Sequence, residues 1–282
     1  MSSYTTSTIT AESFDASKIT FDAPPKVLSN NAKLVFLKYG GKPLEVQTPP
    51  MKAPFGADTR PMENGEKTTL AGSFENHDSR PPLHALFDMM NSMDNKIVSA
   101  AMENQSAWWH PKKFFNEEVA RAIYTPIVRY GKDKESGEVS MRYAPTMRMA
   151  LKRNEGKWAF DVVDSDMNDI SDKFKELVDA GCTRGAMFQA VIRATGIWIS
   201  GSGFGVSWKV VSLRMNVSPP SASMHTFTVD PEDSELMKCV PRSSDDAAAA
   251  AAIGAVPVPQ PPLGAAIGNP PPRMIVDSDD DL

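Results

Sequence analysis

Cysteine is scarce in this chain. Cys182 and Cys239 are the only two among 282 residues, too few to staple a scaffold of this size, and the expected setting is a reducing, intracellular one. Long apolar runs are missing too. No stretch approaches the ~20 apolar residues that cross a bilayer, so no membrane association is expected. Met1-Ser-Ser-Tyr-Thr-Thr lacks the basic and apolar regions of a secretory leader.

Catalytic and metal signatures are equally thin. The histidines, His77, His84, His110 and His225, are scattered, and neither cysteine has a neighbour at ligand spacing. No metal or cofactor site is expected. Asp164-Ser-Asp166-Met-Asn168 starts like a calcium loop but has Asp169 where glycine is required and Lys175 where the bidentate glutamate belongs. Gly201-Ser-Gly-Phe-Gly205 has neither dinucleotide-loop nor nucleophile-elbow spacing. The chain does not read as an enzyme; a metal-dependent nuclease using Asp161, Asp164 and Asp166 is the weakest alternative.

Proline is plentiful, and its distribution divides the chain. Residues 216–282 hold 11 of the 23 prolines, an alanine run from Ala247 to Ala252 and the single aromatic Phe227. Such a segment cannot bury enough apolar surface to offset the entropy of ordering it, so a disordered linker is expected. It ends in Asp277-Ser-Asp279-Asp280-Asp281-Leu282. Half of the first twenty residues are Ser or Thr, and residues 1–30 read as a disordered arm.

The formal charge of −5 is similarly uneven. Residues 1–215 carry a net +2 and residues 216–282 a net −7, while Ala107 to Phe160 holds 11 basic against 6 acidic side chains. A mildly basic body carries an acidic tail.

Residues 31–215 show clear periodicities. Ala32–Tyr39 alternates, Gly40-Gly41 follows, and a second run covers Pro43–Thr48, which signals a hairpin. Lys67–Phe74 reads as a strand. Leu83, Leu86, Phe87, Met90, Ile97, Val98 and Ala101 then form one helical stripe. A short helix is predicted near Asn116–Ile123, with Phe115, Val119 and Ile123 inward. Strands are predicted at Tyr124–Tyr130, Glu138–Lys152 and Lys157–Asp164, and a helix over Asn168–Ala180 capped by Gly181. The last element is a long ribbon, Arg184–Ser200 returning as Val206–Met215. The predicted fold is mainly β with inserted helices (α+β): a small, OB-like antiparallel barrel plus the disordered acidic tail.

Binding chemistry is the strongest remaining signal. In Val139–Lys152, Arg142, Thr146, Arg148 and Lys152 share one parity, while Met141, Tyr143, Met147, Met149 and Leu151 share the other and are assigned to the core. Cations at alternate strand positions can follow a phosphate backbone; an ordinary solvated face is the plainer reading. Trp108-Trp109-His110-Pro111-Lys112-Lys113-Phe114-Phe115 combines stacking faces with phosphate-neutralising lysines; the alternative is a hydrophobic plug. One of Trp108 and Trp109 is expected buried and the other partly exposed. On the ribbon, Phe188, Ala190, Ile192, Ala194 and Trp198 read as core, as do Trp158 and Trp208. Arg193 and Lys209 are the expected contacts.

Two stretches carry a resemblance. Gln105-Ser-Ala-Trp-Trp-His-Pro-Lys-Lys-Phe and Gly196-Ile-Trp-Ile-Ser-Gly-Ser-Gly-Phe-Gly-Val-Ser-Trp-Lys-Val-Val resemble a family of single-stranded-DNA-binding proteins of large nucleocytoplasmic DNA viruses, of the algal-virus type. The resemblance covers residues 30–215. It implies an OB-type barrel coating single-stranded DNA in viral replication, recombination or repair, in the host nucleus or a cytoplasmic replication site. The family does not say which residues touch DNA, so Trp108, Trp109, Lys112, Lys113, Arg142, Arg148, Lys152, Arg193 and Lys209 are candidates from parity and charge. The tail, Asp277, Asp279, Asp280, Asp281 and Leu282, has the form found in many phage and bacterial single-strand binders. There it can compete with DNA and recruit polymerase or recombination proteins; a merely solubilising terminus is the plainer reading. Homo-oligomerisation is left open. A second class, a virion structural or scaffolding protein, also fits an ordered body with a Pro-rich tether.

Overall fold

A computed structural model of the chain describes residues 8–28, 31–62, 65–109, 116–133, 136–140 and 142–217. The proposed tail, its five candidate residues, and Lys112 and Lys113 lie outside the described residues.

The principal elements, in chain order, are β1 (Lys33–Val35), β2 (Glu45–Gln47), β3 (Met51–Lys52), β4 (Ala57–Met62), β5 (Gly65–Ser73), α1 (Pro81–Glu103), α2 (Gln105–Trp108), α3 (Glu117–Ile123), β6 (Thr146–Leu151), α4 (Ser171–Asp179), β7 (Met187–Ile199) and β8 (Phe204–Met215). β2, β3 and β4 are successive pieces of one bent strand. β2 and β3 pair antiparallel with β7, while β3 and β4 pair antiparallel with β5. β5 then pairs antiparallel with β6, β6 parallel with β8, and β8 antiparallel with β7. The ring therefore closes. A five-stranded ring with this order and one parallel contact is an OB-type barrel; α1 joins its second and third strands and α4 its third and fourth.

One residue ladder makes the closure concrete. Following cross-strand partners from Asp58 leads through Thr69, Ala150, Lys209 and Arg193 to Glu45. The path leaves the bent first strand at Asp58 and rejoins it at Glu45. That stagger is what tilted strands impose when a sheet closes on itself.

Alternation fills the interior. Leu70 of β5, Met147, Met149 and Leu151 of β6, Phe188, Ala190 and Ile192 of β7, and Trp208, Val210 and Leu213 of β8 are all buried. Each large apolar side chain among them contributes about 1.5–3 kcal/mol. α1 adds Leu83, Leu86, Met90, Ile97, Val98 and Ala101 to the same core, the stripe read from its spacing. The expected glycine hairpin is present at Gly40-Gly41, both with positive φ, joining Leu37–Tyr39 to Lys42–Pro43.

Several expectations are corrected. Residues 8–28 are not a disordered arm. Ile9 pairs with Val46 in parallel, and Ile19–Phe21 pairs with Leu37–Tyr39. Their sparse apolar side chains, Ala11 and Ile19 among them, bury against the barrel, so pairing supplies what composition did not. The predicted strand Glu138–Lys152 is two pieces, Val139–Ser140 and β6. Pro145 interrupts it, because proline has no N–H for a ladder. Tyr143 consequently faces solvent at 62% exposure instead of joining the core. Val119 of α3 is also exposed, and Ala120 is its buried residue. Trp198 is only half-buried: a register shift between Ala194 and Gly196 exchanges parity and sends Ile197 and Ile199 inward in its place.

Candidate nucleic-acid interface

The outer side of β4, β5, β6, β8 and β7 is where the barrel leaves its charge. Its middle is floored by small residues, Thr69 and Ala71 of β5 and Ala150 of β6, all half-buried. Cross-strand pairing places Arg148 opposite Ala71, Lys67 opposite Arg60, and Lys209 beside Ala150. Adjacent strands lie about 4.8 Å apart and same-face residues on one strand about 6.7 Å apart. The result is a low floor bordered by cations on four strands. Asp58, paired with Arg60 at 2.8 Å, and buried Glu45 are the acids of the ladder.

The cations differ in how far they are already satisfied. Arg193 is held by Glu45: its Nε donates to Oε1 at 2.6 Å, and its terminal nitrogen contacts the same oxygen. Lys209 lies across the ladder from Arg193. Burial, and then the neighbouring Arg193 charge, hold its ammonium below the usual lysine range, with Glu45 opposing. Two cations thus stand near one carboxylate that only Arg193 contacts, leaving a half-buried excess of positive charge that an incoming phosphate would relieve. Arg148 is exposed, and no ion pair to Arg148 or Lys209 occurs among the described residues.

One end of this floor carries aromatic surface. Arg129 bridges Thr146, the first residue of β6, placing Tyr130 beside that strand's start. Tyr143 approaches Gly131 of the same segment. The Arg142 guanidinium lies 5.5 Å above the Tyr143 ring, a cation–π contact that keeps both at the surface. Phe55 is 65% exposed in the turn between β3 and β4. Parity alone missed Tyr130, Tyr143, Phe55, Arg60 and Lys67; Pro145 in the predicted strand was the available signal for Tyr143.

The candidates read from the sequence divide accordingly. Arg148, Lys209 and Arg193 share the ladder face, Arg193 in a mainly structural role. Arg142 sits in the turn before β6 rather than on it, and Lys152 follows the last residue of β6, half-buried and engaged with other groups. Trp108 and Trp109 are both buried, correcting the expectation that one is exposed. Trp108 meets Phe21 edge-on at 5.6 Å, and Trp109 meets Phe204 at 5.1 Å. Lys33 Nζ donates to the Trp108 carbonyl at 3.0 Å. Neither indole offers a face to a base; Trp108 and Trp109 are part of the hydrophobic core, and residues 110–115 lie outside the described residues. Trp158 is half-buried between Phe174 and the Arg153 guanidinium.

Of the acids considered for a nuclease, Asp164 is engaged within its own turn. Asp164 accepts from the backbone N–H groups of Asp166 and Asn168 at 2.8 and 2.9 Å and from the Asn168 side chain. Those bonds, the Asn168 side chain first, hold its carboxyl below the usual range. Among the described residues no helix is long and apolar enough to cross a membrane.

No family model matches the chain, and no curated protein does. Solved structures similar to it include gp2.5, a single-stranded DNA binding protein encoded by bacteriophage T7, at 13% identity and a TM-score of 0.35, covering 71% of this chain and 98% of that one. Another is the single-stranded DNA-binding protein from bacteriophage Enc34 in complex with ssDNA, at 12% identity and a TM-score of 0.37, covering 69% and 95% respectively. What this chain binds is read from its own charged face.

Proposed function

We propose that the barrel binds single-stranded nucleic acid, DNA in the first instance, across the outer face of β5 and β6, with little sequence preference. The observation that carries this reading is the small-residue floor of Thr69, Ala71 and Ala150 bordered by Arg148, Lys209, Lys67 and Arg60. OB barrels commonly use the face of their second and third strands for oligonucleotides. Cations at the rim neutralise phosphates, and the exposed Tyr130, Tyr143 and Phe55 supply π-faces that stack on any base. A setting in viral replication, recombination or repair rests on the two sequence stretches alone, and the acidic tail is proposed as a displaceable competitor of DNA that recruits replication proteins.

The experiment is a titration of the full chain with oligo-dT at low and moderate salt. Binding that weakens steeply with salt is expected; no binding at low salt, with and without residues 216–282, overturns the proposal. Removing Asp277–Leu282 is expected to tighten binding at low salt, and an unchanged affinity removes the tail's competitor role. A scaffolding protein would instead keep whatever DNA affinity it has after Arg148 is reversed in charge and Lys209 is neutralised.

A further inference from the structure

Where β5 leaves the barrel, residues that are scattered in sequence converge. Asn76 adopts a left-handed conformation at φ 59°, starting the tight turn His77–Ser79 that leads into α1. This turn sets His77 and Asp78 against His84, one turn into the helix. The two imidazoles lie nearly parallel, with centroids 5.8 Å apart. His77 Nε2 is 3.4 Å from Asp78 Oδ1, and His84 Nδ1 is 3.8 Å from the same oxygen. One ligand atom from each of the three residues lies within 4.8 Å of the others.

The other ring nitrogens decide what these atoms are. His77 Nδ1 stands 3.0 Å from the Phe74 carbonyl oxygen. A carbonyl only accepts, so Nδ1 carries the proton and Nε2 of the neutral ring presents a lone pair. His84 Nε2 lies 3.3 Å from Asp88 Oδ2, which in the same way leaves a lone pair on Nδ1. Each ring therefore has its outer nitrogen held by an oxygen, the arrangement that orients histidines at metal centres and raises their basicity. Two unprotonated ring nitrogens and a carboxylate oxygen then lie within 4.8 Å of one another. Ligands about 2.0–2.1 Å from a tetrahedral zinc stand roughly 3.4 Å apart, close to the separations from Asp78.

We propose that His77, Asp78 and His84 bind a divalent transition-metal ion of the zinc type, with Asp88 and the Phe74 carbonyl positioning the two imidazoles. The fourth position is open to water, since Asp78, His84 and Asp88 are exposed. A bound ion clamps the exit of β5 to the first turns of α1. This corrects the reading of the histidines as unrelated: the tight turn and Pro81-Pro82 at the start of α1 bring His77 and His84 together.

The test is isothermal titration of the chelator-stripped full chain with zinc chloride in a non-coordinating buffer, alongside His84→Ala and Asp88→Asn. His84 is exposed enough for its replacement to leave the fold intact, checked by circular dichroism. One equivalent is expected to bind the unmodified chain, with affinity at least tenfold lower in His84→Ala and lowered about tenfold or more in Asp88→Asn. Cobalt substitution is expected to give a visible d–d spectrum that His77→Ala abolishes. Equal zinc affinity in the unmodified chain and His84→Ala, or no uptake at micromolar zinc, overturns the proposal. Oligo-dT affinity plays no part in this readout, so its failure is separable from that of the DNA-binding reading.

Discussion

Arg193 reaches across to the buried Glu45 carboxylate, donating from Nε at 2.6 Å. Glu45 is 3% exposed, so this pair joins β2 to β7 at the barrel seam. Removing one partner of a buried pair strands the other charge away from water. Arg193→Ala is expected to lower stability by about 3–5 kcal/mol, measured by urea denaturation, and any loss of DNA affinity should track that destabilisation. A variant of unchanged stability would show that Glu45 does not need its partner.

Lys209 and Arg148 should behave in the opposite way. Both are on the outer face of the ladder, Arg148 two residues before Ala150, and neither has an ion-pair partner among the described residues. Arg148→Glu and Lys209→Gln together are expected to weaken oligo-dT binding at least tenfold at low salt while altering stability by about 1 kcal/mol or less. The slope of log affinity against log salt should fall by roughly 0.7 for each phosphate that is no longer neutralised. Titration at four salt concentrations measures both, and an unchanged slope would remove this face from the interface.

The barrel was largely legible because alternation reports burial directly. β5, β6, the ribbon of β7 and β8, α1 and α4 all follow from period 2 or period 3.6. What alternation could not report was local departure from it. Pro145 turned Tyr143 outward, and the register shift after Ala194 exchanged Trp198 for Ile197. Strand pairing gave order to a Ser/Thr-rich segment, since hydrogen bonds along an edge require no apolar side chain. On the candidate face, the shared outward side of Arg148, Lys209 and Arg193 was legible from parity, but the buried partner of Arg193 was not. Glu45 lies 148 residues away in the chain, and nothing local marks it as the residue that neutralises this arginine. Trp108 and Trp109 were misjudged because composition cannot distinguish a stacking platform from a core residue.

Gly196 opens the Gly-x-Trp part of the ribbon motif for a structural reason. Its φ is +137°, and a Cβ there would stand 2.7 Å from the Val35 carbonyl oxygen and 2.9 Å from Leu34. The close approach lets β1 pair with β7 at Ile197 and Trp198. Gly196→Ala combines an unfavourable backbone conformation with a clash against main chain that cannot turn aside. A loss of about 2 kcal/mol or more is expected, measured by thermal or urea denaturation. A neutral outcome would mean that β1 separates from β7 at little cost.

Asp94 of α1 links helix and barrel through the segment after α3. It accepts from the Tyr124 hydroxyl at 2.5 Å and from the Ile127 N–H at 3.2 Å. Burial outweighs these bonds and pushes its carboxyl up to about 6; burial, followed by the Asp94 charge, also raises the Tyr124 hydroxyl. A carboxyl whose folded value exceeds its unfolded 3.8 binds more protons when folded. Its stabilisation is therefore complete below the unfolded value and is lost as pH rises through about 6, a change of about 3 kcal/mol in all. Between about pH 5 and pH 7.5 the unmodified protein should lose roughly 1.4 kcal/mol relative to Asp94→Asn, whose side chain does not titrate. Parallel urea denaturation at the two pH values measures the difference between the proteins. That comparison cancels the carboxyls common to both, including Asp15, Asp164 and Asp169, whose lowered values act at more acidic pH and with the opposite sign. A difference independent of pH would mean that Asp94 remains ionised at its usual value, with the Tyr124 and Ile127 bonds matching the cost of burial.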